Sequence, residues 1–228
     1  MADLPKQMPF DLKHASSMAR EDFFISDTNQ EAMAWLDKWP NWGAPALVIY
    51  GPPHAGKTHL RHIWQSETWG QHIGVQDLVP EKVGDLYEQN NNIAIDPLDA
   101  IIGNDKAEQA LFHLYNLVKN EGGSLLICAE REPASWQIKL PDLVSRLKSC
   151  PMQGIAHPDD MLMEIAFVKL FTDRQMSVSP DVIAYILPRI ERNMAVVHAC
   201  VERIDQLSLA DKRKITIPLV KEALKEIL

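Results

Sequence analysis

Eight residues constrain this chain more than any others. Gly51-Pro52-Pro53-His54-Ala55-Gly56-Lys57-Thr58 spells G-x-x-x-x-G-K-[ST]. Ahead of it, Ala46-Leu47-Val48-Ile49-Tyr50 is a short apolar, β-branched run that predicts a buried parallel strand. Behind it, Lys57 to Trp64 predicts the start of a helix. Strand, glycine loop and helix in that order suit one chemistry. Glycines let the backbone approach phosphate oxygens, and the loop N–H groups and helix N-terminus face the negative charge. The stretch from Gly51 to His59 is therefore a candidate nucleotide-binding segment. Lys57 is placed to reach the outer phosphates, and Thr58 to offer its hydroxyl to Mg²⁺.

With 228 residues the chain has room for one α/β domain and a smaller second one. No apolar run is long enough for a membrane span, and Met1 to Gln7 lacks the pattern of a secretory signal. Cys128, Cys150 and Cys200 are too few and too scattered for a disulfide framework or a zinc site, and Cys128 ends an apolar run as a core thiol would. A reduced, cytoplasmic protein is expected. The net charge of −8 argues against broad contact with DNA or anionic membrane. The basic run Lys212-Arg213-Lys214 reads as a solvated loop.

Residues 1–20 show no periodicity and read as a tail. A helix from Gln30 to Trp39 is expected, capped by Asn29 and stopped by Pro40. Further strands are expected at Ile73-Gly74-Val75, Asn92 to Asp96 and Ser124 to Cys128. Helices are expected at Asp77 to Gln89, at Asp105 to Asn120 and, with proline in its first turn, at Pro141 to Leu147. After about residue 157 the pattern becomes wholly helical: Asp159 to Arg174, Ser179 to Arg189, Asn193 to Ala210 and Pro218 to Leu228. The fold class is α/β: a three-layer αβα P-loop core with a parallel sheet over residues 21–156, then a small all-α lid over 157–228.

Asp96, at the end of an apolar strand, is the candidate partner of Thr58 in holding Mg²⁺. Hydrolytic P-loop enzymes usually follow such an acid with a second one that orients water. Here Pro97 follows, with Asp99 three residues after Asp96. Nucleotide binding, as ADP or ATP with Mg²⁺, is better supported than turnover. Arg146 is a candidate arginine finger, a cation that stabilises charge on a phosphoryl group held by a neighbouring subunit.

These features together resemble the AAA+ proteins, most closely the DnaA clade and, within it, the Hda regulators of replication initiation. The resemblance runs through Arg20-Glu21-Asp22-Phe23, the Gly51–Thr58 loop, Ile93 to Asp96 and Ala129-Glu130-Arg131-Glu132-Pro133. Its most specific piece is Leu140-Pro141-Asp142-Leu143-Val144-Ser145-Arg146-Leu147, similar to the arginine-finger box, and Lys214 to Glu222 is similar to the ending of Hda proteins. Gln7-Met8-Pro9-Phe10-Asp11-Leu12 resembles the motif by which such proteins bind the DNA polymerase III sliding clamp, with apolar Met8, Phe10 and Leu12 suited to a greasy groove.

The resemblance implies a clamp-bound adaptor that presents Arg146 to ATP on DnaA, stimulates its hydrolysis and so prevents re-initiation. A homo-oligomer is compatible with it. No helix-turn-helix is expected after Leu228, so any DNA contact is at most indirect. Three positions depart from the clade: Pro97, Cys128-Ala129 in the sensor 1 strand, and Ala195 where the sensor 2 arginine belongs, with Arg192 one turn away. The rivals are an autonomous, helicase-loader-like ATPase and a small-molecule P-loop kinase. The kinase would want a cluster of arginines that Arg174, Arg189, Arg192 and Arg203 do not form in sequence.

Overall fold

A computed structural model describes residues 18–211 and 213–227; the Gln7–Leu12 motif lies outside them. Five strands, β1 (Ala46–Tyr50), β2 (Gln71–Ile73), β3 (Asn92–Ile95), β4 (Ser124–Ala129) and β5 (Met152–Gly154), form one sheet in the order β2-β3-β4-β1-β5. Every pairing is parallel. The central strands are buried on both faces, which explains their unbroken apolar runs.

Side-chain alternation divides the core. Ala46 and Val48 of β1 join Ile93, Ile95, Leu125 and Ile127 under α3 (Val83–Gln89), α4 (Asp105–Glu121) and α5 (Pro141–Lys148). Leu47 and Ile49 join Ala94 and Leu126 under α1 (Gln30–Asp37) and α2 (Lys57–Thr68). Helices therefore cover both faces of the sheet in three layers. The remaining helices, α6 (Asp160–Asp173), α7 (Pro180–Ile186), α8 (Met194–Asp211) and α9 (Ile217–Ile227), share a separate apolar cluster centred on Phe167, Phe171, Val201 and Leu219. Among the described residues, no helix is long and apolar enough to cross a membrane.

The structure corrects several expected elements. β2 lies two residues earlier, because Gly74 opens a turn closed by the Asp77 N–H on its carbonyl at 3.1 Å. The helix expected from Asp77 starts only at Val83, since Val79 before Pro80 is held extended and a 3₁₀ turn intervenes. Asn29 stands at the helix start without capping it; its side chain instead accepts from Ser26 N–H and donates to the Phe24 carbonyl, each at 2.9 Å. β5 has no sequence signature, with three half-buried residues. Arg20 is clasped to the core by Asp37 at 2.6 Å and Glu67 at 2.8 Å.

Candidate functional site

β1 runs directly into the glycine loop, and α2 leaves it at Lys57. Gly51 has no room for a side chain, because a Cβ would drive into the carbonyl of Ile155. Gly56 takes the left-handed φ of +106° that turns the loop into α2, and His54 is also left-handed. Lys57 is buried, and its ammonium donates to the carbonyls of Gly51 and Pro52, each at 2.7 Å. Burial holds that ammonium below its ordinary pKa. The arrangement is a concave loop with a desolvated cation at its centre, suited to an anion.

His54, Ala55, Gly56, Lys57, Thr58 and His59 form one wall of a cavity of about 500 Å³. The N-terminal segment supplies Phe23, Phe24 and Asn29, and α6 and α8 close the other side with Lys169, Arg174, Ala195 and His198. The Phe23 and His59 rings meet edge-on with centroids 5.2 Å apart. Gly51 and Pro52 line a neighbouring groove beside β5 instead, and Pro53 lines neither.

The two residues assigned to magnesium come together: the Thr58 hydroxyl donates to Asp96 Oδ2 at 3.0 Å. The same oxygen accepts from Arg61 Nε at 3.0 Å, a contact no motif announced. The loop fits phosphates; Asp96, whose charge is already matched by a guanidinium, does not fit as a ligand for Mg²⁺. Asp99 is committed elsewhere, accepting from Glu130 N–H at 2.5 Å and Arg131 Nε at 2.8 Å. Cys128 is buried in β4, and burial raises its thiol pKa strongly.

Ala195 lies on the cavity wall. Arg192 does not replace a sensor arginine there: it forms an exposed pair with Asp160 at 3.0 Å. Arg189 lies over the Tyr185 ring and Arg203 pairs with Glu226. Of the four lid arginines, Arg174 alone lines the cavity, joined by Lys169, which sequence reasoning passed over. Lys169 is itself paired with Asp22 of the N-terminal segment.

Arg146 projects from the last turn of α5 and is absent from the cavity wall. Among the described residues its guanidinium forms no hydrogen bond or ion pair. Its helix is anchored by Glu108, a nearly fully buried carboxylate on α4 (1% exposed). Glu108 accepts from the N–H groups of Gly103 at 2.8 Å, Lys139 at 2.9 Å and Leu140 at 3.0 Å. Sequence reading placed no weight on Glu108, one polar residue in an amphipathic helix.

Comparison with known proteins fits this geometry. The family model described as "Hda, lid domain" matches residues 166–224. Domain III of the Thermotoga maritima replication initiation protein DnaA superposes with a TM-score of 0.78 at 18% identity, covering 92% of this chain and 96% of that one. Its lid region is similar to that of Hda, and its fold is that of DnaA domain III. AMPPCP-bound DnaA from Aquifex aeolicus shares the DnaA-like AAA+ fold, with a TM-score of 0.74 at 17% identity over 90% of this chain and 68% of that one. A Thermotoga maritima RuvB structure matches at 0.74 and 14% identity over 92% and 72%. An uncharacterized protein of Haemophilus influenzae is 28% identical, covering 96% of this chain and 98% of its own length.

Proposed function

We propose that this chain is a nucleotide-binding regulator of replication initiation that acts on DnaA by lending it Arg146. The Hda-type lid on a DnaA-like core supports the coarser part, a DnaA-related replication regulator. The observation that carries the finer part is the state of Arg146. It does not line the cavity beside the chain's own phosphate loop, and it stands on a helix pinned by a buried carboxylate, with its guanidinium uncommitted among the described residues. A cation on an anchored helix, without an ion-pair partner among the described residues, suits charge developing on a phosphoryl group held by another subunit. In this reading DnaA hydrolyses its own ATP and becomes inactive, and Gln7 to Leu12 tether the adaptor to the polymerase III sliding clamp.

The chain's own cavity would hold ADP or ATP, with the phosphates on the loop and Lys57, and Lys169 and Arg174 facing them from the lid. Turnover there is disfavoured, because Pro97 cannot orient water and Asp99 is bonded to the segment after β4. The decisive assay measures hydrolysis of ATP bound to DnaA in the presence of clamp loaded on DNA. Wild-type protein should accelerate it; Arg146→Ala should bind clamp normally and give no acceleration. An Arg146→Ala variant that still accelerates hydrolysis would refute the finger assignment.

A further inference from the structure

The pairing of Arg61 with Asp96 joins two parts of the phosphate machinery that are 35 residues apart in sequence. Arg61 lies one turn beyond Lys57 on α2, on the same face of the helix. Its Nε stands 3.0 Å from Asp96 Oδ2, and the two side chains are only 9% and 12% exposed. The remaining guanidinium nitrogens are tied as well, one to Gln65 Oε1 and one to His62 Nε2 at 3.0 Å. The Asp96 backbone carbonyl is bonded in turn by the His72 ring at 3.1 Å. Neither Arg61 nor Asp96 lines the cavity, whereas Thr58 does.

We propose that Arg61 is a built-in counter-cation for Asp96, so that the chain takes up the diphosphate of a nucleotide without a divalent metal held by the protein. The proposal rests on the nucleotide-binding reading above. A metal placed between Thr58 and Asp96 would meet a guanidinium held against the same oxygen. Mg²⁺ demands near-octahedral oxygen coordination and gives up its waters reluctantly, so it competes poorly for a carboxylate already paired and shielded. Breaking a shielded pair also leaves one charge uncompensated, which opposes displacement of Arg61 by the metal. Lys57 and the loop N–H groups remain to neutralise the phosphates.

The test is calorimetric titration of the full chain with ADP, once with excess Mg²⁺ and once with EDTA. The wild-type affinity should differ by no more than about twofold between the two conditions. Arg61→Leu should bind more weakly in EDTA and regain at least about tenfold when Mg²⁺ is added, while Arg61→Lys should behave like wild type. Wild-type binding that requires Mg²⁺ would overturn the proposal and leave nucleotide binding standing. Absence of ADP binding in both conditions would overturn both. Arg61→Leu that binds equally well with and without metal would remove Arg61 from the role. Should that variant fail to fold, the wild-type comparison alone still decides.

Discussion

Replacing Glu108 by glutamine tests how the chain holds Arg146 in place. The carboxylate gives one oxygen to Gly103 N–H and the other to the consecutive N–H groups of Lys139 and Leu140, and Leu140 is the residue from which α5 starts. Glutamine keeps the shape but turns one oxygen into a donor. If its carbonyl faces Lys139 and Leu140, those two bonds survive without charge assistance, each weaker by about 1 kcal/mol, and the part-buried Gly103 N–H exchanges its acceptor for water at about 1 kcal/mol. The expected destabilisation is therefore about 3 kcal/mol. For a chain of this size that lowers Tm by on the order of 10 °C. Thermal unfolding followed by circular dichroism reads it directly. A second readout separates anchoring from general stability: at a temperature where the variant is folded, stimulated hydrolysis by DnaA should fall while clamp binding is retained. A glutamine variant melting within about 2 °C of wild type would refute the reasoning, since the lost charge assistance at Lys139 and Leu140 alone should cost more than that.

Other perturbations have equally defined outcomes. Gly51→Ala puts a methyl group into the Ile155 carbonyl, so soluble, folded protein that binds ADP like wild type would contradict the packing described. Lys57→Ala should remove stabilisation by nucleotide; wild type should gain about 2.7 kcal/mol at a hundredfold excess of ADP over its dissociation constant, read as a Tm shift. Arg174→Ala should weaken ADP binding about tenfold, and Arg192→Ala should leave it unchanged, because Arg174 faces the cavity and Arg192 does not. His198 is held below its ordinary value of 6.5 by burial first and then by Arg174 and His59. The unfolded chain therefore takes up this proton before the folded one does, so the stability His198 supports is complete above about pH 6.5 and declines below it. Melting curves between about pH 7.5 and 5.5 should show the decline, and His198→Asn should flatten it.

What could be read from the sequence, and what could not, divides along a physical line. The glycine loop, β1 and α2 are contiguous, so their signals reinforce one another within twenty residues, and the structure follows them. The lid helices were legible for the same reason, because their starts at Asp159, Ser179-Pro180 and Ile217-Pro218 are local punctuation. β5 was not legible: Met152, Gln153 and Gly154 have no strand pattern and become one only because the edge of β1 offers Val48, Ile49 and Tyr50 for pairing. The decisive features of the site belong to the second kind. Arg61 is unremarkable in its own segment, as are Glu108 and Leu140, and Asp96 stood out there only as a metal ligand, not as the partner of an arginine. Only the parallel sheet, which sets the end of β3 beside the start of α2 and turns α4 toward the approach to α5, makes partners of them. A motif names the residues able to meet a phosphate, but long-range pairing decides which charges remain free to do so. Among the described residues it leaves Lys57 and Arg146 without ion pairs, Lys57 bonded only to loop carbonyls, while it ties down Asp96 and Asp99. That distribution favours a chain that holds a nucleotide and activates hydrolysis elsewhere over one that hydrolyses its own.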